Sequence, residues 1–448
     1  MNTPERILDI DDALVSDENP ARDDDTLDYE RCARLHNYLV AYGWMARHGR
    51  DTLDLDALRR ERWFFGQPAE DLHAIRERLM RLCDELFPGE DNKLHNEGKE
   101  RFVVIYDTVP ELGSHCLGVL YDQQHNRASF PMTLENSESV EPVDEHEEMW
   151  FPLETILTHW IYMIRLGRAV PGLPECDSTS RSQIGLWSWL PYCNAQIDST
   201  IAAMENYSAT VESRMPPDSL LPICAPLFTD PDLDAASVPK DCFIRKFLTG
   251  VKTPRFKFIA PGLQVPHDKE EFARLQIFTI LPYEEDCVPG VLLFSTPDHT
   301  VNLNLERKYL FSQEGENVTL NEGDPIPSGL YSEPLLRNHH DTEEAGFRLI
   351  LPFALRPDFR DKQGARMSDG RLVESGSFTE LFQHGWFHPF GGERRSQRLE
   401  RLFERWTELI EGGVWTVGEN GVEGGVDKFR DADNGNGAWR DYWIAPDW

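Results

Sequence analysis

His339 and Asp341 stand two residues apart, and His384 is followed ten residues later by Arg394-x-Ser396. Two imidazoles and one carboxylate are the ligand set of a facial Fe(II) site, and an arginine with a serine beyond the second histidine would hold a 2-oxo acid. Against that reading, RNHHDTEEAG has the composition of a polar loop. FTELFQHGWFHPF also lacks the look of the strand that such a second histidine occupies, which leaves surface histidines as the simpler expectation.

A second group lies in VEPVDEHEEMWFPLETILTHW, where Asp144, Glu145, Glu147 and Glu148 run directly into an apolar helical pattern. The positive end of a helix dipole favours carboxylates there, so the cluster reads either as an acidic lead-in to a core helix or as a receptor for a cation. The third group is the chain's basic stretch, PKDCFIRKFLTGVKTPRFKF. In it Lys240, Arg245, Lys246, Lys252, Arg255 and Lys257 face only Asp241 and alternate with Phe243, Phe247, Phe256 and Phe258. Such interleaving suits a landing place for a polyanion, and equally a sheet edge guarded by basic side chains. No GxxxxGK[ST] loop, GxGxxG turn, GxSxG elbow or HExxH helix occurs, which lowers the weight of nucleotide-driven, dinucleotide-dependent, serine-hydrolase and zincin chemistry.

The elements that must position these groups are legible in outline. Helical periodicity runs from Tyr29 to about Phe87, and three short branched or aromatic runs follow at 101–109, 115–122 and 127–134. A buried helix is expected over 153–166, with Leu153, Ile156, Leu157, Trp160, Ile161 and Ile164 inward, Pro152 in its first turn and Gly167 as its C-terminal cap. A second long helix is expected over about 194–215, begun or broken near Pro191. From Cys242 to Leu305 the runs CFIRKFL, RFKFIA, RLQIFTILPY, GVLLFS and HTVNLNL read as strands of an antiparallel sheet, continued by KYLFS and GFRLILPFAL. An amphipathic helix with Leu399, Leu402, Phe403, Trp406 and Leu409 inward ends at Gly412-Gly413, and the aromatic end from Trp439 to Trp448 should dock back onto the body.

The fold class expected is therefore α+β: a helical N-terminal layer, an antiparallel sheet in the second half and an amphipathic helix near the C-terminus. Residues 1–28 are expected as an acidic, mobile tail, because residues 1–30 hold eleven acids and two arginines. Residues 29–448 are expected as one large domain, mainly helical over 29–220 and mainly sheet over 240–448. With 448 residues, 40% of them hydrophobic, a sizeable core is affordable to the chain. No leader-like or membrane-length apolar run is present, and the eight cysteines are scattered singly, so a cytoplasmic protein with buried thiols is expected. A net charge of −33 disfavours DNA and anionic membranes as partners.

The DEHEE segment and the MWFPLETILTHW after it resemble the family of fungal proteins that includes arginine-containing cyclodipeptide synthases, which share an acidic DDxxE motif. The match falls on Asp144, Glu145 and Glu148, with Glu145 standing where the family has aspartate. The resemblance implies an aminoacyltransferase without cofactor or metal. It would take arginine from arginyl-tRNA and a second residue from another aminoacyl-tRNA, and close a diketopiperazine without ATP. Asp144, Glu145 and Glu148 would grip the guanidinium and accept the proton of the attacking amine. Arg245, Lys246, Lys252, Arg255 and Lys257 would meet tRNA phosphates. Two other readings stay open: a non-haem Fe(II)/2-oxoglutarate-type oxygenase using His339, Asp341 and His384, and an acidic interaction protein without enzymatic activity.

Overall fold

The computed structural model describes residues 8–16, 18–22, 24–48, 102–105, 119–129, 150–171, 182–184, 187–222, 226–279, 287–302, 325–336, 344–353, 383–385, 395–396, 398–433, 438–442 and 444. The chain is α+β. Its first helix, α1 (Tyr29–His48), packs on the helix Leu153–Leu166 and shares an apolar cluster with a four-stranded antiparallel meander of β1 (Phe102–Ile105), β2 (Val119–Asp122), β3 (Arg127–Ser129) and β4 (Phe151–Pro152). Helix α2 (Leu153–Leu166) follows β4 without a break. Pro152 serves as its N-cap and pairs with Arg127 in the sheet, one position earlier than expected. Gly167 ends the helix in the left-handed conformation at φ 80°, donating its N–H to the Ile164 carbonyl.

The N-terminal half is richer in sheet than its periodicity implied. A three-stranded sheet of β5 (Ala169–Pro171), β6 (Ser182–Ile184) and β7 (Trp187–Trp189), ordered β5-β7-β6, joins α2 to the next long helix. The described residues within 8–28 also depart from expectation, because they pack on the body. Ile10 and Ala13 are buried among Leu35, Leu157 and Ile161 of α1 and α2, as apolar side chains in an acidic segment will be when an apolar groove lies beside it.

Helix α3 (Asn194–Glu212) starts after Pro191 and buries Ile197, Met204, Tyr207 and Val211 against the second core. Short helices α4 (Asp230–Ala235) and α5 (Phe243–Gly250) follow. The CFIRKFL run is thus a helix and not the strand expected. Phe243, Ile244, Phe247 and Leu248 recur at helical spacing and are all buried, a period that a strand would split between two faces. Next come β8 (Phe258–Ala260), β9 (Leu263–Gln264) and α6 (Lys269–Leu275), so RLQIFTILPY begins in a helix as well. Strands β10 (Cys287–Val288), β11 (Leu292–Asn302), β12 (Pro325–Ser332), β13 (Leu335–Leu336), β14 (Phe347–Ile350), β15 (Gln383–Gly385) and β16 (Arg395–Ser396) lead to α7 (Leu399–Glu411) and a closing hairpin, β17 (Val417–Gly418) and β18 (Gly421–Val422). The main sheet has seven strands in the order β14-β12-β11-β9-β8-β18-β17, antiparallel except where β18 meets β8. The KYLFS run lies outside the described residues.

Helix α7 buries Leu399, Leu402, Phe403, Trp406 and Leu409 as its pattern dictates, and packs on α3. An aromatic chain runs from Tyr207 through Trp406 and Trp415 to Tyr442, with ring centroids 5.8, 5.6 and 6.4 Å apart. Tyr442 is buried, so this part of the aromatic C-terminus does dock. The turn between β8 and β9 depends on Gly262, whose φ is 75° and where an added Cβ would meet the Val426 backbone nitrogen at 2.4 Å. Gly262→Ala should therefore lower unfolding stability by more than the roughly 1 kcal/mol of a positive-φ penalty alone, as read by chemical denaturation.

Candidate functional site

Glu344, Ala345 and Gly346, which lead into β14, form a junction of four elements. The buried Glu344 carboxylate accepts the N–H of Phe243, the first residue of α5, at 2.9 Å, so it caps that helix from 101 residues away. The Glu344 N–H donates to the carbonyl of Pro191 ahead of α3, at 3.1 Å. The Ala345 carbonyl accepts Leu399 N–H at the start of α7, and the Gly346 carbonyl accepts Glu333 N–H beyond the end of β12. Inside the edge of the sheet, Arg348 and Glu333 form a bidentate pair, with Arg348 Nε 2.7 Å from Glu333 Oε2 and both side chains below 10% exposed. Burial of two opposite charges is tolerated here because the fork geometry satisfies both carboxylate oxygens.

The lead-in of β14 also meets the stretch that follows the strand pair holding His384. Gly346 forms an isolated antiparallel bridge with Arg398. Two residues before Arg398, β16 pairs with β15, Gln383 opposite Ser396 and Gly385 opposite Arg395. His384 therefore sits within a strand bonded to the one that begins right after Arg394, contrary to the reading of FTELFQHGWFHPF as strandless. His339, Asp341 and Arg394 lie outside the described residues. Asp341 precedes Gly346 by five residues, a tether of at most about 18 Å. Arg398 itself is buried and donates to the Tyr162 hydroxyl of α2 at 2.8 Å, tying this edge to the N-terminal half.

The basic stretch is dismantled by its helix. Arg245 points into the protein, donating to Asp230 Oδ1 at 2.9 Å, to Asp234 Oδ1 at 2.6 Å and to the Val238 carbonyl at 2.8 Å, and so is no phosphate contact. Those two carboxylates hold the guanidinium charged against the cost of its burial. Lys246 lies over the Tyr192 ring at 4.8 Å, Lys252 pairs with Glu205 at 2.8 Å, and Arg255 Nε donates to the Leu221 carbonyl. Lys257 sits 5.1 Å from the centroid of Phe258. The acidic trio Asp144, Glu145 and Glu148 lies outside the described residues, which resume at Trp150. Among the described residues no group of three metal-ligating side chains occurs, and no helix is long and apolar enough to cross a membrane.

Sequence reasoning missed Glu344 and the Glu333–Arg348 pair. A charge inside the apolar run FRLIL was the available signal for Arg348, whereas nothing local marks Glu344 as the cap of a distant helix. The chain matches no protein-family model, no curated protein and no solved structure.

Two outcomes test the Arg348–Glu333 pair and the Arg245 tie between α4 and α5. Arg348→Met alone should cost about 3–5 kcal/mol in chemical denaturation by stranding Glu333, and adding Glu333→Leu should return most of that loss. Arg245→Ala should lower stability by about 2 kcal/mol or more, because Asp230, Asp234 and the Val238 carbonyl lose their shared donor, while Lys246→Ala should leave the denaturation midpoint nearly unchanged.

Proposed function

We propose that the protein is a non-haem Fe(II), 2-oxo-acid-dependent oxygenase. The carrying observation is the backbone pairing that joins β15, with His384, to β16, with Ser396, and then joins Arg398 to the lead-in of β14. His339-x-Asp341 is tethered to that same lead-in by its sequence position. Two imidazoles and a carboxylate suit Fe(II), and His339, Asp341 and His384 would hold it. Bound iron would activate dioxygen, one atom entering the substrate and the other the 2-oxo acid as it loses carbon dioxide. Arg394 would grip the 2-oxo acid's carboxylate bidentately and Ser396 would add a hydrogen bond. Arg348 is not the counter-ion for such an acid, because Glu333 already occupies it.

A second reading is the tRNA-dependent cyclodipeptide synthase. It is supported by Asp144, Glu145 and Glu148 in the sequence and by the exposure of Lys246, Lys252 and Lys257 along one stretch. In that reading the ester of an aminoacyl-tRNA is already activated, so positioning and proton transfer suffice.

One set of assays separates the two. Purified protein should carry iron near one equivalent, lose it in His339→Ala and Asp341→Ala, and consume 2-oxoglutarate in an EDTA-sensitive, RNase-insensitive reaction. Cyclic dipeptide formed from charged tRNAs, stopped by RNase and indifferent to EDTA, would replace the oxygenase reading with the synthase.

A further inference from the structure

The N-terminal segment over residues 9–25 is attached to the body in an unusual way. Among the described residues, no backbone-to-backbone hydrogen bond ties 9–22 to α1, α2 or the meander. The contacts run through side chains instead. Val15 N–H donates to Thr158 Oγ1 at 3.1 Å, and Arg22 N–H to Glu154 Oε1 at 3.0 Å. Four arginines of the body reach the segment: Arg165 to Asp11 at 2.6 Å, Arg34 to Asp12 at 2.5 Å, Arg127 to Asp25 at 3.2 Å, and Arg31 to the carbonyls of Asn19 and Pro20. Beneath the segment Ile10 and Ala13 fill an apolar site lined by Leu35, Leu157 and Ile161.

An arginine rim around an apolar floor is a seat matched to an acidic segment with apolar teeth. We infer that residues 9–25 are a latch that opens as its own unit, released by salt, and uncovers the arginine-rimmed groove of α1 and α2 while the rest of the fold stays intact. Two features set its strength below that of the body: among the described residues only Ile10 and Ala13 are fully buried apolar side chains, with Leu14 partly buried beside them, and its three ion pairs have exposed acid partners at 80, 74 and 58%. Such pairs are weak and screened, and segments with few buried contacts open below the global unfolding limit. The inference is independent of the proposed activity.

Hydrogen exchange on the full chain reads this directly, because the Val15 and Arg22 amides report latch contacts while the Ile161 and Ile164 amides report α2. At low salt the two latch amides should exchange faster than those of α2, and raising salt from about 0.05 to about 1 M should speed them roughly tenfold without a matching change in α2. Asp11→Asn with Asp12→Asn should give fast latch exchange already at low salt, an unchanged thermal midpoint and a smaller salt response. Latch amides that exchange only as slowly as those of α2 would overturn the inference. So would fast exchange that ignores salt, since the ion pairs would then hold nothing.

Discussion

A buried carboxyl group is tolerated only where hydrogen bonds replace its water, and Glu344 meets that condition by capping a helix 101 residues earlier in the chain. Much of the C-terminal half depends on this bond. It fixes the start of α5 against the lead-in of β14, and the next two residues of that lead-in fix α7 and the β12–β13 turn through their carbonyls. A helix N-terminus is rich in N–H groups without partners, so the carboxylate is held by the helix as firmly as it holds it.

The same junction explains why the basic stretch does not form a basic surface. Once α5 is anchored at Phe243, its helical period turns Arg245 inward, toward Asp230 and Asp234 of α4, and leaves Lys246 outside. A strand through CFIRKFL would have alternated these side chains between two faces. The helix instead uses Arg245 as a tie between α4 and α5.

Charge also connects the two halves. Arg398 at the head of α7 bonds Tyr162 of α2, and Tyr162 belongs to the helix whose other end receives the N-terminal segment through Glu154 and Thr158. Arginine recurs at each of these joints because its planar fork binds carboxylates, carbonyls and hydroxyls at once while its stem packs against apolar neighbours. An acidic chain with few cations thus commits many of its arginines to internal ties.

Periodicity determined the helices α2, α3 and α7, most of the faces that α2 and α7 bury, and three of the four meander strands, because an apolar stripe at 3.6 or 2 residues has only one way to meet a core; β4 was not legible. The α+β class followed from those elements. Tertiary structure decided what periodicity leaves degenerate. CFIRKFL is short enough to suit either period, and only the Glu344 cap and the core around Phe243 and Phe247 select the helix. Asp11, Asp12 and Asp25 read as part of a solvated tail until Arg165, Arg34 and Arg127, from distant positions, pair with them. His384 reads as a loop residue until β16 pairs beside it. In each case the deciding partner lies far away in sequence, where local pattern carries no information about it.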